Sequence, residues 1–212
     1  MKLAREQVQR DLDALPENYK TADVDKLIKR YIRQKADVSE LRPCVLREQQ
    51  FYRIYYYVSL EQIKGAEAQM AFIHENLFFS DWWHTDILIR YAADIDLERA
   101  LLYAKEYTAS ADPFIRRWGY VLFIDRVEQK CAADLFPLFK DDDHYSVQMA
   151  QAWLICALAV FEPETVYRWL EHNGLRYNIN GKAIQKICDS FRISKEWKER
   201  FKSLRPKLKT VK

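Results

Sequence analysis

The sequence predicts an all-α protein, an α–α superhelix built as a HEAT-like repeat solenoid, and three observations carry that expectation. Only four glycines occur in 212 residues, and no Asn-Gly or Asp-Gly turn separates two alternating apolar runs, so hairpins have little to turn on. Helix-start signals recur along the chain. The clearest of them, Ser80, Asp112 and Asp143, stand 32 and 31 residues apart, an interval that fits stacked helix pairs. A balance of 49% hydrophobic and 31% charged residues suits one folded domain over 1–212.

In chain order, apolar residues recur at helical spacing from Leu3 to Leu15 and from Asp23 to Lys35, with Pro16 between the two stretches. Pro43 ends the next short piece. Arg47 to Val58 holds Phe51, Tyr52, Ile54, Tyr55, Tyr56 and Tyr57, a density that fits core packing better than base stacking. Ser59-Leu60-Glu61-Gln62 reads as a capping box that starts a helix to about Asn76. Ser80 is expected to cap a helix that opens on Asp81-Trp82-Trp83-His84-Thr85-Asp86.

Asp94 and Asp96 precede another helix at Leu97. Asp112-Pro113 has the cap-then-proline order of a helix start, and that helix carries Arg116, Arg117 and Trp118. A short helical piece spans Ala133 to Phe139. Asp141-Asp142-Asp143 then caps the helix containing Trp153, Glu162-Pro163 opens the next, and Asn173-Gly174 closes it. Helices from about Lys182 to Phe191 and from Ser194 to Leu204 complete the chain.

The longest apolar run, Trp153 to Phe161, is far below the roughly 20 residues that span a bilayer, so no membrane segment is expected. Cys44, Cys131, Cys156 and Cys188 form neither a disulfide framework nor a C-x-x-C pair, which fits a cytoplasmic location. His74, His84, His144 and His172 lack zinc-ligand spacing, so neither metal nor cofactor is expected. Net charge is +3, but 176–212 holds twelve Lys or Arg against three acids, which makes it a basic C-terminal segment. Truncation before Lys195 is expected to remove mainly charge.

Trp82 and Asp86 fall four apart, on one side of a helix, and put a flat π surface beside an anion. Such a pair suits a flat, cationic ligand. The competing reading packs Trp82 in a core and pairs Asp86 with Arg90. In a solenoid, equivalent helices line a shared face, so Trp82, Asp86, Arg117 and Trp153 are expected to share a groove.

On these residues the chain resembles the DNA alkylation repair glycosylases with HEAT-like repeats, the AlkD-type family. Trp82-Trp83-His84-Thr85-Asp86, Ile115-Arg116-Arg117 and Trp153 match in order, spacing and helical setting over roughly residues 60–175. The resemblance implies removal of cationic alkylated purines, of the 3-methyladenine or 7-methylguanine type, from double-stranded DNA by a monomer. It implies that Asp86 stabilises an oxocarbenium-like sugar while Trp82 and Trp153 contact sugar and lesion. Arg117 would then hold a backbone phosphate beside Arg116, and the charge of the basic segment adds Lys182 and Lys186 as expected DNA-binding residues. An ion pair with a neighbouring acid is the other reading of the two arginines. Where relatives carry an arginine three residues after the later tryptophan, this chain has Cys156. The alternative function is a non-catalytic HEAT-like DNA-binding or protein-interaction scaffold, which would not need Asp86 beside Trp82.

Overall fold

The computed structural model of the protein describes residues 2–209, with the side chains at 128 and 129 left aside. The last three residues of the basic segment therefore lie outside the described ones. Among the described residues the regular structure is helical, with one isolated bridge between Lys2 and Asp37. The all-α helical-repeat class is the class found. The chain packs as two compact units, Met1–Ser80 and Asp81–Lys212.

In the first unit, α1 (Arg5–Asp13), α2 (Thr21–Arg33), α3 (Gln49–Leu60) and α4 (Ala66–Glu75) follow one another, with a 3-10 turn at Ser39–Cys44 that contains Pro43. Val24, Leu27, Ile28 and Tyr31 make the buried stripe of α2, which packs on α3. The aromatics of α3 are core: Phe51, Tyr52 and Tyr56 are fully buried.

The capping box expected at Ser59 is corrected. Ser59 and Leu60 end α3, where Glu61 N–H donates to the Tyr57 carbonyl and the Gln62 amide returns to Val58 O at 2.8 Å. Leu60 continues the buried stripe of α3, so the chain has no reason to restart there. The break comes at Gly65, whose φ of 90° favours glycine.

The second unit contains α5 (Trp82–Asp86), α6 (Leu97–Tyr107), α7 (Pro113–Val121), α8 (Ala132–Leu135), α9 (Tyr145–Phe161), α10 (Pro163–His172), α11 (Tyr177–Asp189) and α12 (Lys195–Leu208). Helices α5, α7, α9 and α11 pack side by side in succession, while α6 packs on α7 and α10 on α9 and α12. The first three of that row begin at 82, 113 and 145, so the 31–32 residue interval belongs to stacked helices. Close approach of α6 and α7 depends on Gly119, where an added Cβ would lie 2.7 Å from Thr108 Cγ2.

Asp96 and Asp112 cap α6 and α7 through their carboxylates. Asp142 does not cap α9 as a helix-start residue does; it accepts from His144 N–H and pairs with Arg116. Helix α11 starts five residues before Lys182, at Tyr177, and α12 runs on through Pro206. Phe201, Leu204 and Leu208 of α12 are buried, so cutting the chain before Lys195 strips core along with charge. The expectation that such a truncation removes mainly charge is corrected on that ground.

Candidate functional site

The short helix α5 owes its start to Asp81 rather than Ser80. Asp81 Oδ1 accepts the Trp82 N–H at 2.6 Å, and the Asp81 N–H donates to His84 Nδ1 at 3.1 Å, so the two residues cap each other. Accepting at Nδ1 requires an uncharged ring. Burial agrees, pushing the His84 pKa from 6.5 down to about 4 although the Asp81 charge acts the other way. The cap fixes a helix of only five residues. Trp82 and Asp86 nevertheless occupy its two ends on one side.

Trp82 is 54% exposed, so it is no core residue. It lines a pocket of about 420 Å³ with Asp86, Arg117, Trp153 and Lys186. The groove expected from equivalent helices thus brings together all four residues assigned to it. Helix α9 contributes three pocket residues at helical spacing, Tyr145, Met149 and Trp153. Tyr145 is absent from the residues expected from sequence, although it stands four and eight residues before Met149 and Trp153, on the same face of α9. Its ring is 65% exposed, and Lys182 Nζ lies 5.7 Å from its centroid.

Asp86 pairs with Arg117, not Arg90: Arg117 Nη2 donates to Asp86 Oδ1 at 2.7 Å. Arg117 Nε donates to Thr85 Oγ1 at 3.0 Å and Nη1 to the Ser146 carbonyl at 2.8 Å. The guanidinium is buried and ties α5, α7 and α9 together. Arg116 is held as firmly, by Asp142 at 2.7 and 3.2 Å and by the Ser110 and Ala111 carbonyls. Both guanidinia are thus engaged within the protein, which is the ion-pair reading of the two arginines.

The pair leaves Asp86 half available. Thr85 Oγ1 and Arg117 both meet Oδ1, while Oδ2 accepts no hydrogen bond among the described residues. The pocket thus combines aromatic side chains with a carboxylate whose Oδ1 is held by Arg117 and Thr85. Lys186 lines the pocket from α11, and Lys182 lies one turn before it with Nζ bonded to Asn178 O at 3.0 Å.

Elsewhere in the basic segment, Arg176 pairs with Asp141 and Asp143, Arg200 with Glu164, Lys202 with Glu199 and Lys207 with Glu171. Much of the segment's charge is matched by acids. Among the described residues no group of three or more His, Cys, Asp or Glu could hold a metal ion, and no helix is long and apolar enough to cross a membrane.

Stacked helices with an aromatic, carboxylate-bearing pocket define an all-α helical-repeat protein. A family model described as DNA alkylation repair enzyme matches residues 18–187, and the chain belongs to that family. The match runs through α2 to most of α11 and includes every pocket residue named above. The chain therefore has a role in repair of alkylated DNA. Comparisons with curated proteins and with solved structures gave no match.

Proposed function

We propose that the pocket excises cationic alkylated purines, of the 3-methyladenine or 7-methylguanine type, from duplex DNA as a glycosylase of base-excision repair. The observation that carries this reading is the meeting of Trp82, Trp153 and Asp86 in one pocket, with Oδ2 of Asp86 accepting no hydrogen bond among the described residues. An alkylated purine bears positive charge while joined to the sugar. Aromatic faces attract such a ring by roughly 0.5–2 kcal/mol per contact. When the C1′–N bond breaks, its electron pair goes to the purine and neutralises it, and positive charge passes to the sugar.

Asp86 then acts where charge develops. Its carboxylate stabilises the sugar cation and orients the water that adds to C1′, taking up the proton the water loses. Arg117 and Thr85 are positioning residues, because they fix Oδ1 and so fix the direction of Oδ2. Lys186, in the pocket lining, and Lys182, beside the Tyr145 ring, are the phosphate-binding residues on α11.

Purified protein incubated with methylated duplex DNA should release free methylated purine above the spontaneous rate. Trp82→Ala and Trp153→Ala should each slow that release. Tight binding of alkylated DNA by wild-type protein without any release would favour the scaffold reading instead.

A further inference from the structure

A second pocket, of about 310 Å³, is also lined by Trp153 and lies between α9, residues 124–127 and the turn after α11. Its lining includes Trp153, Cys156, Phe161, Asp125, Ser190 and Arg192. We infer that this pocket binds a neutral purine base, the product that excision at the first pocket would liberate. The inference rests on the excision reading for where the base comes from. The pocket's chemistry stands apart from it.

Charge decides the ligand class. The lining holds one acid, Asp125, and one base, Arg192, so its formal charge sums to zero. A phosphate would meet the Asp125 carboxylate, and a cation would meet Arg192. A neutral ring with donors and acceptors on its edge meets neither objection, because a carboxylate accepts, a guanidinium donates and a hydroxyl does both.

The remaining lining is apolar or flat. Arg192 lies over the Phe161 ring at 5.2 Å from its centroid, and Trp153 forms the wall shared with the first pocket. Cys156 adds no charge, since burial pushes its thiol up to about 11 although Lys186, Arg192 and Ser190 act the other way. An arginine at this position would fill part of the space and add a positive charge. Cys156 therefore keeps the pocket open and neutral.

The two pockets differ as the two states of the base differ. A lesion still joined to sugar is cationic and suits Asp86. Once released it is neutral and suits a lining of no net charge. Trp153 presents a wall to each.

Titration calorimetry of the full chain with adenine, and separately with inorganic phosphate, tests this. Adenine should bind saturably and phosphate should not. Arg192→Ala and Asp125→Ala, both at exposed residues, should each weaken adenine binding about fivefold or more, while Trp82→Ala leaves it unchanged. No adenine binding, loss of it in Trp82→Ala with retention in Arg192→Ala, or Arg192-dependent phosphate binding would each overturn the assignment. Base release is read separately: excision without adenine binding sinks this inference alone. Adenine binding without excision sinks the excision reading and leaves a nucleobase site.

Discussion

Two groups of aromatic side chains with similar composition behave in opposite ways. On α3, Phe51, Tyr52 and Tyr56 are fully buried, and the hydroxyls of Tyr55 and Tyr56 end on Asn76. Burial pushes the Tyr52, Tyr55 and Tyr56 hydroxyls up in pKa, so all stay protonated. At the candidate site, Trp82 and Tyr145 are 54% and 65% exposed and gather round one pocket. Scattered exposed aromatics mean little, but several converging beside a carboxylate mark a place where a ligand supplies the missing contact.

The comparison breaks most readily on stability. Phe51→Ala should lower unfolding free energy by about 3–5 kcal/mol in denaturant melts, whereas Trp82→Ala should stay within about 0.5 kcal/mol of wild type. Equal losses in the two variants would mean that Trp82 packs as core. Next in size is Gly119→Ala, which forces Cβ against Thr108 on α6 and should cost about 1–3 kcal/mol. A neutral result there would show that α6 and α7 can separate without strain.

A pH series sharpens the picture at α5. The His84 pKa in the folded protein, about 4, is below its ordinary 6.5, so its contribution to stability is fully present above pH 6.5. That contribution falls as pH drops from 6.5 through about 4, because the protonated ring no longer accepts from Asp81. Wild-type melting temperature should therefore decline across this window more than that of His84→Gln. Parallel curves would remove the His84 cap from the account.

The smallest expected effect concerns charge. Lys186→Ala should weaken duplex binding alike for all sequences and reduce the salt slope by about 1, with little change in stability. Arg116→Ala should do the reverse and lower stability with the salt slope unchanged, because its partners are Asp142 and two carbonyls. A matching loss of salt slope in Arg116→Ala would return that residue to the phosphate contacts.

Side chains that cap a helix locally were legible in the sequence: Asp96, Asp112 and Ser194 accept from amides two or three residues on. Ser59 carried the same signature and misled, because burial of Leu60 extends α3 past it. The meeting of Trp82, Asp86 and Trp153 was legible because a repeat interval implies equivalent positions. The partner of Asp86 was not, since Arg90 is the arginine one helical turn on, and only the stacking of α5 on α7 brings Arg117 to it. The second pocket was also hidden, as it depends on how the turn after α11 folds over α9.

Asp86 carries the central claim, and its ion pair complicates the test. Asp86→Asn leaves the buried Arg117 short of a charge, so some loss of stability is expected whatever else the carboxylate does. Base release from methylated duplex DNA should therefore be compared at a temperature where circular dichroism shows both proteins folded. Asp86→Asn should slow release on the order of a hundredfold or more while DNA affinity stays within a few-fold, because the lost interaction belongs to the transition state. Release at the wild-type rate by a folded but less stable Asp86→Asn would contradict it and leave Asp86 as the structural partner of Arg117 alone.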